Sequence, residues 1–130
     1  MSKYARKKDS NHKGICETLT ACGVTVVDCS ASGTIPDLLV WYRGKCGWLE
    51  IKMIAKSDPR YTAKQLKWIA ETPMPVRIVT NDQEALAFAQ THQGALTSQQ
   101  KDDLAAFLLR NEGKELFTPK QVTEALNSKG

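Results

Sequence analysis

The spacing of apolar residues divides the first two thirds of the chain into helical and extended segments. Apolar positions at helical spacing predict helices over residues 11–22, 63–71 and 80–90. The last of these is predicted to begin at Thr80 and Gln83, which have the spacing of a capping box. Short runs rich in β-branched and aromatic residues predict strands over residues 24–27, 37–42, 47–53 and 76–79.

Strands and helices alternate along this part of the chain, which is typical of an α/β fold. The second and third predicted strands are joined only by residues 43–46, which include a glycine, so we expect them to pair as an antiparallel hairpin. The segments together predict a mixed central β-sheet flanked by helices.

The pattern beyond residue 93 is helical only. A capping-box pair precedes each of two predicted helices, Thr97 with Gln100 and Thr118 with Gln121. Residues 93–130 are therefore predicted to form a C-terminal helical extension, which can pack on the rest of the chain, dock a partner or pair two subunits. The apolar residues expected to face inward are Leu104, Phe107, Leu108, Val122, Ala125 and Leu126.

Positive charge is concentrated in two stretches of this 130-residue chain, whose formal net charge is +4. Basic residues crowd residues 3–13 and residues 52–67. Such a field favours a polyanionic partner such as nucleic acid, although solvated lysines that only aid solubility give the same pattern. No apolar run approaches the ~20 residues of a membrane helix, and no apolar segment follows the basic start. We therefore expect a cytoplasmic protein without membrane contact.

Neither the cysteines nor the histidines show the spacing of a zinc site. His12 and His92 stand far from any plausible ligand partner, and no two cysteines form a C-x-x-C pair. With no export signal, we expect the cysteines to be reduced thiols that fill small apolar positions. They are Cys16, Cys22, Cys29 and Cys46.

Three charged residues are expected to meet at one edge of the sheet. Glu50 and Lys52 lie two positions apart in the third predicted strand, so their side chains point to the same face. Asp37 begins the neighbouring strand, and antiparallel pairing can bring it close to Glu50. Two carboxylates and an ammonium are the groups that Mg²⁺-assisted hydrolysis of a phosphodiester needs. The lysine can orient the attacking water or stabilise the charge that grows on the phosphate.

The backbone carbonyl of Ile51 is a candidate further ligand, since it lies between these two side chains. The alternative is an ordinary surface, because Pro-Asp is a common loop dipeptide and Glu-x-Lys is a common pair on an exposed strand. Glu50 and Lys52, however, interrupt the otherwise apolar residues 48–53. Three charges on an interior sheet edge would be costly without a function.

Three motifs follow one another along the chain, Gly33-Thr-Ile-Pro-Asp-Leu-Leu-Val40, Glu50-Ile-Lys52 and Thr62-Ala-Lys-Gln65. In this order they resemble the motifs of the PD-(D/E)xK nuclease superfamily. Its VRR-NUC and phage Holliday-junction-resolvase-like branches show the nearest likeness, which extends over about residues 9–90.

The resemblance implies a restriction-endonuclease-like core in residues 1–92, including the basic N-terminal arm. It also implies that Asp37 and Glu50 are metal ligands for Mg²⁺ or Mn²⁺, that Lys52 is the catalytic lysine, and that Gln65 supports the site.

Gln65 and Glu17 can each be interpreted either as part of the site or as an ordinary structural residue. Gln65 either supports the site or only completes a capping box with Thr62, and the two roles are compatible because a helix N-terminus attracts phosphate. Members of the superfamily often carry a glutamate on the first helix that points at the metal, and the aligned position here is Gly14. Glu17, one turn further on, either replaces that ligand or faces solvent.

The sequence therefore predicts a metal-dependent DNA endonuclease, with branched or junction DNA as candidate substrates, in a bacterial or phage-infected host cell. A homodimer is expected, since cutting two strands benefits from two sites. The alternatives are a non-catalytic nucleic-acid-binding or adaptor protein on a nuclease-like fold, and an interaction module. The expected phosphate contacts are Lys7, Lys8, Lys56, Arg60, Lys64 and Lys67.

Overall fold

The five predicted helices and the four predicted strands occur in the predicted order, and two short strands are added to them. The computed structural model describes residues 10–52 and 60–127. The helices are α1 (Ser10–Ala21), α2 (Ala63–Glu71), α3 (Asp82–Thr91), α4 (Ser98–Arg110) and α5 (Pro119–Leu126). The strands are β1 (Thr25–Asp28), β2 (Leu38–Tyr42), β3 (Lys45–Ile51), β4 (Tyr61–Thr62), β5 (Val76–Val79) and β6 (Leu116–Phe117). None of these helices is long and apolar enough to cross a membrane.

One sheet combines antiparallel and parallel strands in the order β1-β2-β3-β5. β1, β2 and β3 pair antiparallel, whereas β3 and β5 run parallel with α2 between them in the chain. The predicted α/β fold with a mixed sheet flanked by helices is confirmed. The hairpin turn is shorter than predicted, because Arg43 and Gly44 make it alone with φ angles of 48° and 84°, and β3 already begins at Lys45.

The sheet separates two hydrophobic cores. On one face, α1 and α3 cover a first core that includes Leu38 and Leu49. On the other face, α2, α4 and α5 form a second core against Trp48 and Val76. Neighbouring residues of β3 therefore point into different cores, as the alternation of side chains along a strand requires.

The chain beyond residue 93 packs on α2. Leu104 of α4 and Val122 of α5 are buried in the second core. Of the roles predicted for this segment, the structure therefore shows packing on the rest of the chain. β4 and β6 pair antiparallel and set Tyr61 opposite Phe117. The sequence pattern does not show this pair, because two residues are too few for a periodic signal.

Helix caps explain where α2, α4 and α5 begin. Each starts with a capping box, and the Thr-x-x-Gln pairs predicted for α4 and α5 are confirmed. The box predicted at Thr80 and Gln83 is wrong. Asn81 caps α3 instead, accepting a hydrogen bond from the Glu84 backbone N–H at 2.8 Å. Thr80 precedes this cap residue, and its own N–H donates to the Glu84 carboxylate at 2.9 Å.

Cys22 departs from the predicted role of the cysteines. It is exposed, because it lies in the turn after α1 and not on the buried face of that helix. The expectation that all four thiols fill small apolar positions is therefore wrong for Cys22, while the other three are partly buried.

Gly47 is predicted to be essential for the contact between β3 and α3. A Cβ atom at Gly47 would lie 2.6 Å from the ring of Phe88, which is fully buried, so the ring or the strand would have to shift. We expect Gly47→Ala to lower the free energy of unfolding by about 1–3 kcal/mol, measured by urea denaturation.

The matched control is Gly14→Ala, in α1, where an added Cβ meets nothing within 4 Å. That substitution is expected to raise the free energy of unfolding by roughly 0.5–1 kcal/mol, since alanine is the better helix former. A Gly47→Ala variant as stable as the parent would contradict the close packing of Phe88 on β3.

Candidate active site

The pairing of β2 with β3 brings the two predicted acids together. Leu38 pairs with Leu49, so the next residues outward, Asp37 and Glu50, lie opposite each other. The Asp37 carboxylate accepts a hydrogen bond from the Ile51 backbone N–H at 2.9 Å, which fixes it against β3. The convergence of Asp37 and Glu50 that the hairpin predicts is thus present.

Glu50 is buried to an extent that is unusual for a carboxylate, with a relative exposure of 2%. One carboxylate oxygen, Oε2, lies 3.3 Å from the Lys52 ammonium nitrogen. The other oxygen, Oε1, is buried without a hydrogen-bond partner in the part of the chain that the structure describes. A buried acceptor without a partner is costly, and a cation at Oε1 would remove that cost.

Lys52 is held from three directions. Besides Glu50, its ammonium donates a hydrogen bond to the Arg60 backbone carbonyl at 3.0 Å. It also lies 4.2 Å from the centre of the Tyr61 ring, in a cation–π contact with a side chain that is itself buried in the second core. These contacts fix the ammonium beside the acids, where a free lysine side chain would sample many rotamers.

Burial of the two acids opposes their ionisation. The pKa of Glu50 is raised to about 7, first by burial and then by the charge of Asp37, while Lys52 and the nearby backbone N–H of Asp37 act in the opposite direction. Burial also raises the pKa of Asp37, against the hydrogen bond from Ile51 and the positive charges nearby. A divalent cation would favour the charged form of both acids, because opposite charge lowers the pKa of a carboxyl group.

His12 also belongs to this neighbourhood, although its place in the sequence does not suggest a partner close by. His12 is buried at the base of α1, with Nε2 3.3 Å from Oδ2 of Asp28 at the end of β1. The charge of Asp28 raises the pKa of Asp37 and that of His12 lowers it. The available signal was helical spacing, since His12 shares the buried face of α1 with Ile15 and Leu19.

Glu17 is not brought to the acid pair. It is exposed, because it lies on the side of α1 opposite the buried His12, Ile15 and Leu19. Of the two alternatives for Glu17, this position agrees with a solvent-facing residue and not with a replacement for the ligand from the first helix. Within residues 10–52 and 60–127, no group of three or more His, Cys, Asp or Glu side chains could hold a metal ion. The side-chain ligands that the described residues offer at this site are therefore the two carboxylates of Asp37 and Glu50.

Gln65 has the structural role that its spacing predicts. Its side-chain oxygen accepts from the Thr62 N–H at 3.0 Å, and its own N–H donates to the Thr62 hydroxyl at 3.1 Å. A role of Gln65 in the site stays a prediction. At Ile51 the N–H contacts Asp37, and the suggestion that its carbonyl binds metal also stays a prediction.

The predicted phosphate contacts fall in different places. Arg60 is exposed next to the site, and its carbonyl is the one that holds Lys52. Lys64 and Lys67 are exposed on the outer side of α2, and Lys67 lines a separate groove between α2 and α4. Lys7, Lys8 and Lys56 lie outside the described residues.

Comparisons of the chain with family models, with curated proteins and with solved structures found no match. The geometry of Asp37, Glu50 and Lys52 and the order of the motifs in the sequence are therefore the observations that bear on function.

We predict that stability falls as Glu50 ionises. The pKa of about 7 in the folded state exceeds the ordinary value of 4.5, so between these values the folded state binds more protons than the unfolded state. The free energy of unfolding therefore falls as pH rises through this window, and ionised Glu50 costs about 3 kcal/mol above it. Glu50→Gln cannot ionise and so avoids this cost. The free energy of unfolding of Glu50→Gln relative to that of the parent should therefore increase as pH rises from 4.5 to about 7.

The measurement is urea denaturation across this pH range in metal-free buffer. Glu17→Gln, which changes an exposed acid on α1, is the control and should follow the parent. If Glu50→Gln and the parent show the same pH dependence, Glu50 does not titrate in this window.

Proposed function

We propose that the chain is a metal-dependent DNA endonuclease with a restriction-endonuclease-like core. The observation that carries the proposal is the buried Glu50 carboxylate, which keeps one oxygen without a partner beside Asp37 and the other against Lys52. A purely structural buried ion pair normally satisfies its remaining acceptors with hydrogen bonds. The resemblance of the ordered motifs to the PD-(D/E)xK superfamily supports the same function.

Asp37 and Glu50 would hold the metal ion, because carboxylate oxygens suit Mg²⁺ and Mn²⁺, and Mg²⁺ often takes one or two protein carboxylates and several waters. When bound, the ion polarises a phosphoryl oxygen and lowers the pKa of a bound water. The hydrogen bond from Ile51 holds the Asp37 carboxylate in place before the ion arrives.

Lys52 supplies a fixed positive charge next to the scissile phosphate. As the water oxygen bonds to phosphorus and the bond to the leaving sugar oxygen breaks, negative charge grows on the phosphate oxygens. A cation that the Tyr61 ring and the Arg60 carbonyl already hold in position can stabilise this charge without reorganisation. DNA is inferred as the substrate because the net charge of +4 favours a polyanion.

The second candidate is a non-catalytic nucleic-acid-binding protein on the same fold. It is favoured by the position of Glu17, which leaves the acid pair without a third acidic side chain in the residues that the structure describes. Such a protein would bind DNA in a strongly salt-dependent way and would not respond to Mg²⁺.

We expect the purified chain to cut DNA in the presence of Mg²⁺, and Lys52→Ala to slow cutting at least about a hundredfold. The estimate follows from the 10²–10³-fold effect of removing one preorganised charge-stabilising group. Cleavage of linear, flapped and four-way-junction DNA is followed on denaturing gels.

Lys45→Ala is the matched control, since Lys45 is an exposed lysine at the opposite end of β3. Its cutting rate should stay within about twofold of the parent. If the parent cuts none of these substrates but binds them with no effect of Mg²⁺, the second candidate function is the correct one.

We also expect Mg²⁺ binding to depend on Asp37. Calorimetric titration of the parent should give a binding isotherm that Asp37→Asn abolishes, because the amide cannot supply the charge that the site needs. Glu17→Gln should bind as the parent does. Equal isotherms for the parent and Asp37→Asn would show that the ion binds elsewhere.

A further inference from the structure

A cleft of about 550 Å³ opens beside Lys52, and no step of the proposed hydrolysis requires it. One wall is formed by Lys52 after β3 and by Arg77 and Ile78 of β5. The opposite wall belongs to the C-terminal segment, chiefly Lys120 and Leu126 of α5. We call this feature the Lys52 cleft.

The Lys52 cleft carries an excess of positive charge. Lys52, Arg77 and Lys120 line it, whereas Glu84 is the acid among the described residues that line it. The Glu84 carboxylate already accepts the Thr80 N–H at 2.9 Å. The Arg77 guanidinium donates to two backbone carbonyl oxygens, each at 3.2 Å, which fix its position and leave its full charge. An anionic group is therefore the ligand that the charges favour.

Apolar side chains lie in the same cleft. Ile78, Leu96 and Leu126 line it, and all three are only partly buried at the edge of the second core. They offer an apolar surface on which a flat group can pack. A ligand that joins an anionic group to a flat ring system matches both surfaces, and a nucleotide of a nucleic-acid strand has this composition.

The volume limits the occupant further. Pockets of about 300–1,000 Å³ take drug-sized ligands, so the Lys52 cleft has room for one or two nucleotides but not for a base-paired duplex. We propose that the Lys52 cleft binds an unpaired nucleotide of a DNA strand, with its phosphate toward Lys52 and its base against Ile78, Leu96 and Leu126. The choice of DNA rests on the proposed function, which the inference extends by assigning the second wall, α5, to substrate binding.

The first test measures binding of a fluorescently labelled oligothymidylate strand by anisotropy, in EDTA so that no cutting occurs. Lys120→Gln removes one cation from the cleft, and folding should survive because Lys120 is exposed and glutamine is a good helix former. We expect weaker binding, with the slope of log K against log salt reduced by about 0.7, the value for one lost phosphate contact on a single strand.

Lys45→Gln is the matched control, because it removes the same charge from an exposed lysine at the far end of β3. It should leave the salt slope unchanged. Equal effects of Lys120→Gln and Lys45→Gln would mean that only net charge matters, and the proposal would be overturned.

A second variant fills the cleft without changing charge. Thr123 is an exposed residue of α5 that lines the cleft, so Thr123→Trp should block the base and weaken binding of oligothymidylate. Thr20→Trp, at an exposed position of α1, is its control and should bind as the parent does. A blunt duplex should bind equally well to these two variants and to the two lysine variants. If a cleft variant loses affinity for the duplex to the same extent as for the single strand, the proposal is overturned.

Competition separates a nucleotide site from a general anion site. Unlabelled oligothymidylate should displace the probe from the parent, whereas polyglutamate at the same charge concentration should not. Displacement by polyglutamate would assign the cleft to an acidic peptide and overturn the proposal.

The cleft and the proposed function can fail separately. If DNA cutting is lost in Lys52→Ala but unchanged in Lys120→Gln and Thr123→Trp, the cleft assignment is wrong and the nuclease stands. If both cleft variants lose oligothymidylate binding while the parent cuts no DNA, the cleft stands and the nuclease is wrong.

Discussion

The candidate site depends on the register between β2 and β3. Because side chains alternate along a strand, a slip of one residue would turn Glu50 and Lys52 toward the first core and would expose apolar neighbours on the other face. The two-residue turn at Arg43 and Gly44 sets this register, and the bond from Ile51 to the Asp37 carboxylate ties the far end of the same strand pair. A local feature of backbone conformation therefore determines whether two acids and a lysine meet.

The same register buries the carboxylate of Glu50, and a charged group is costly to bury in a protein interior. The acids have a well-packed region on each side. The first core covers one face of the sheet, and the second core, which contains Tyr61, covers the other. The burial of Glu50 costs stability locally, and the packing of the two cores on both sides of the sheet offsets that cost.

Much of the fold follows from the sequence, because its signals are local. Alternation in β3 and capping boxes at α4 and α5 depend on residues that are at most four positions apart, and the convergence of Asp37 with Glu50 needs only a short hairpin in addition. Two other contacts could not be predicted from a periodic pattern. The contact of His12 with Asp28 joins two different elements, and the cation–π contact of Lys52 with Tyr61 depends on the pairing of β4 with β6, which are only two residues long. The two alternatives for Glu17 could not be separated from the sequence, because the choice depends on which face of α1 packs on the sheet, and the structure places Glu17 on the exposed face.

Tyr61 connects the candidate site with the C-terminal segment. Its ring lies under the Lys52 ammonium, and its strand pairs with β6, which connects α4 to α5. A partial opening that releases the C-terminal helices would expose this ring and remove the support of the ammonium while the four-stranded sheet is still intact. Proteins open in such cooperative units at free energies below that of global unfolding. The chain can therefore lose the alignment of its lysine through a fluctuation in a segment far away in sequence, without unfolding the sheet that carries the acids.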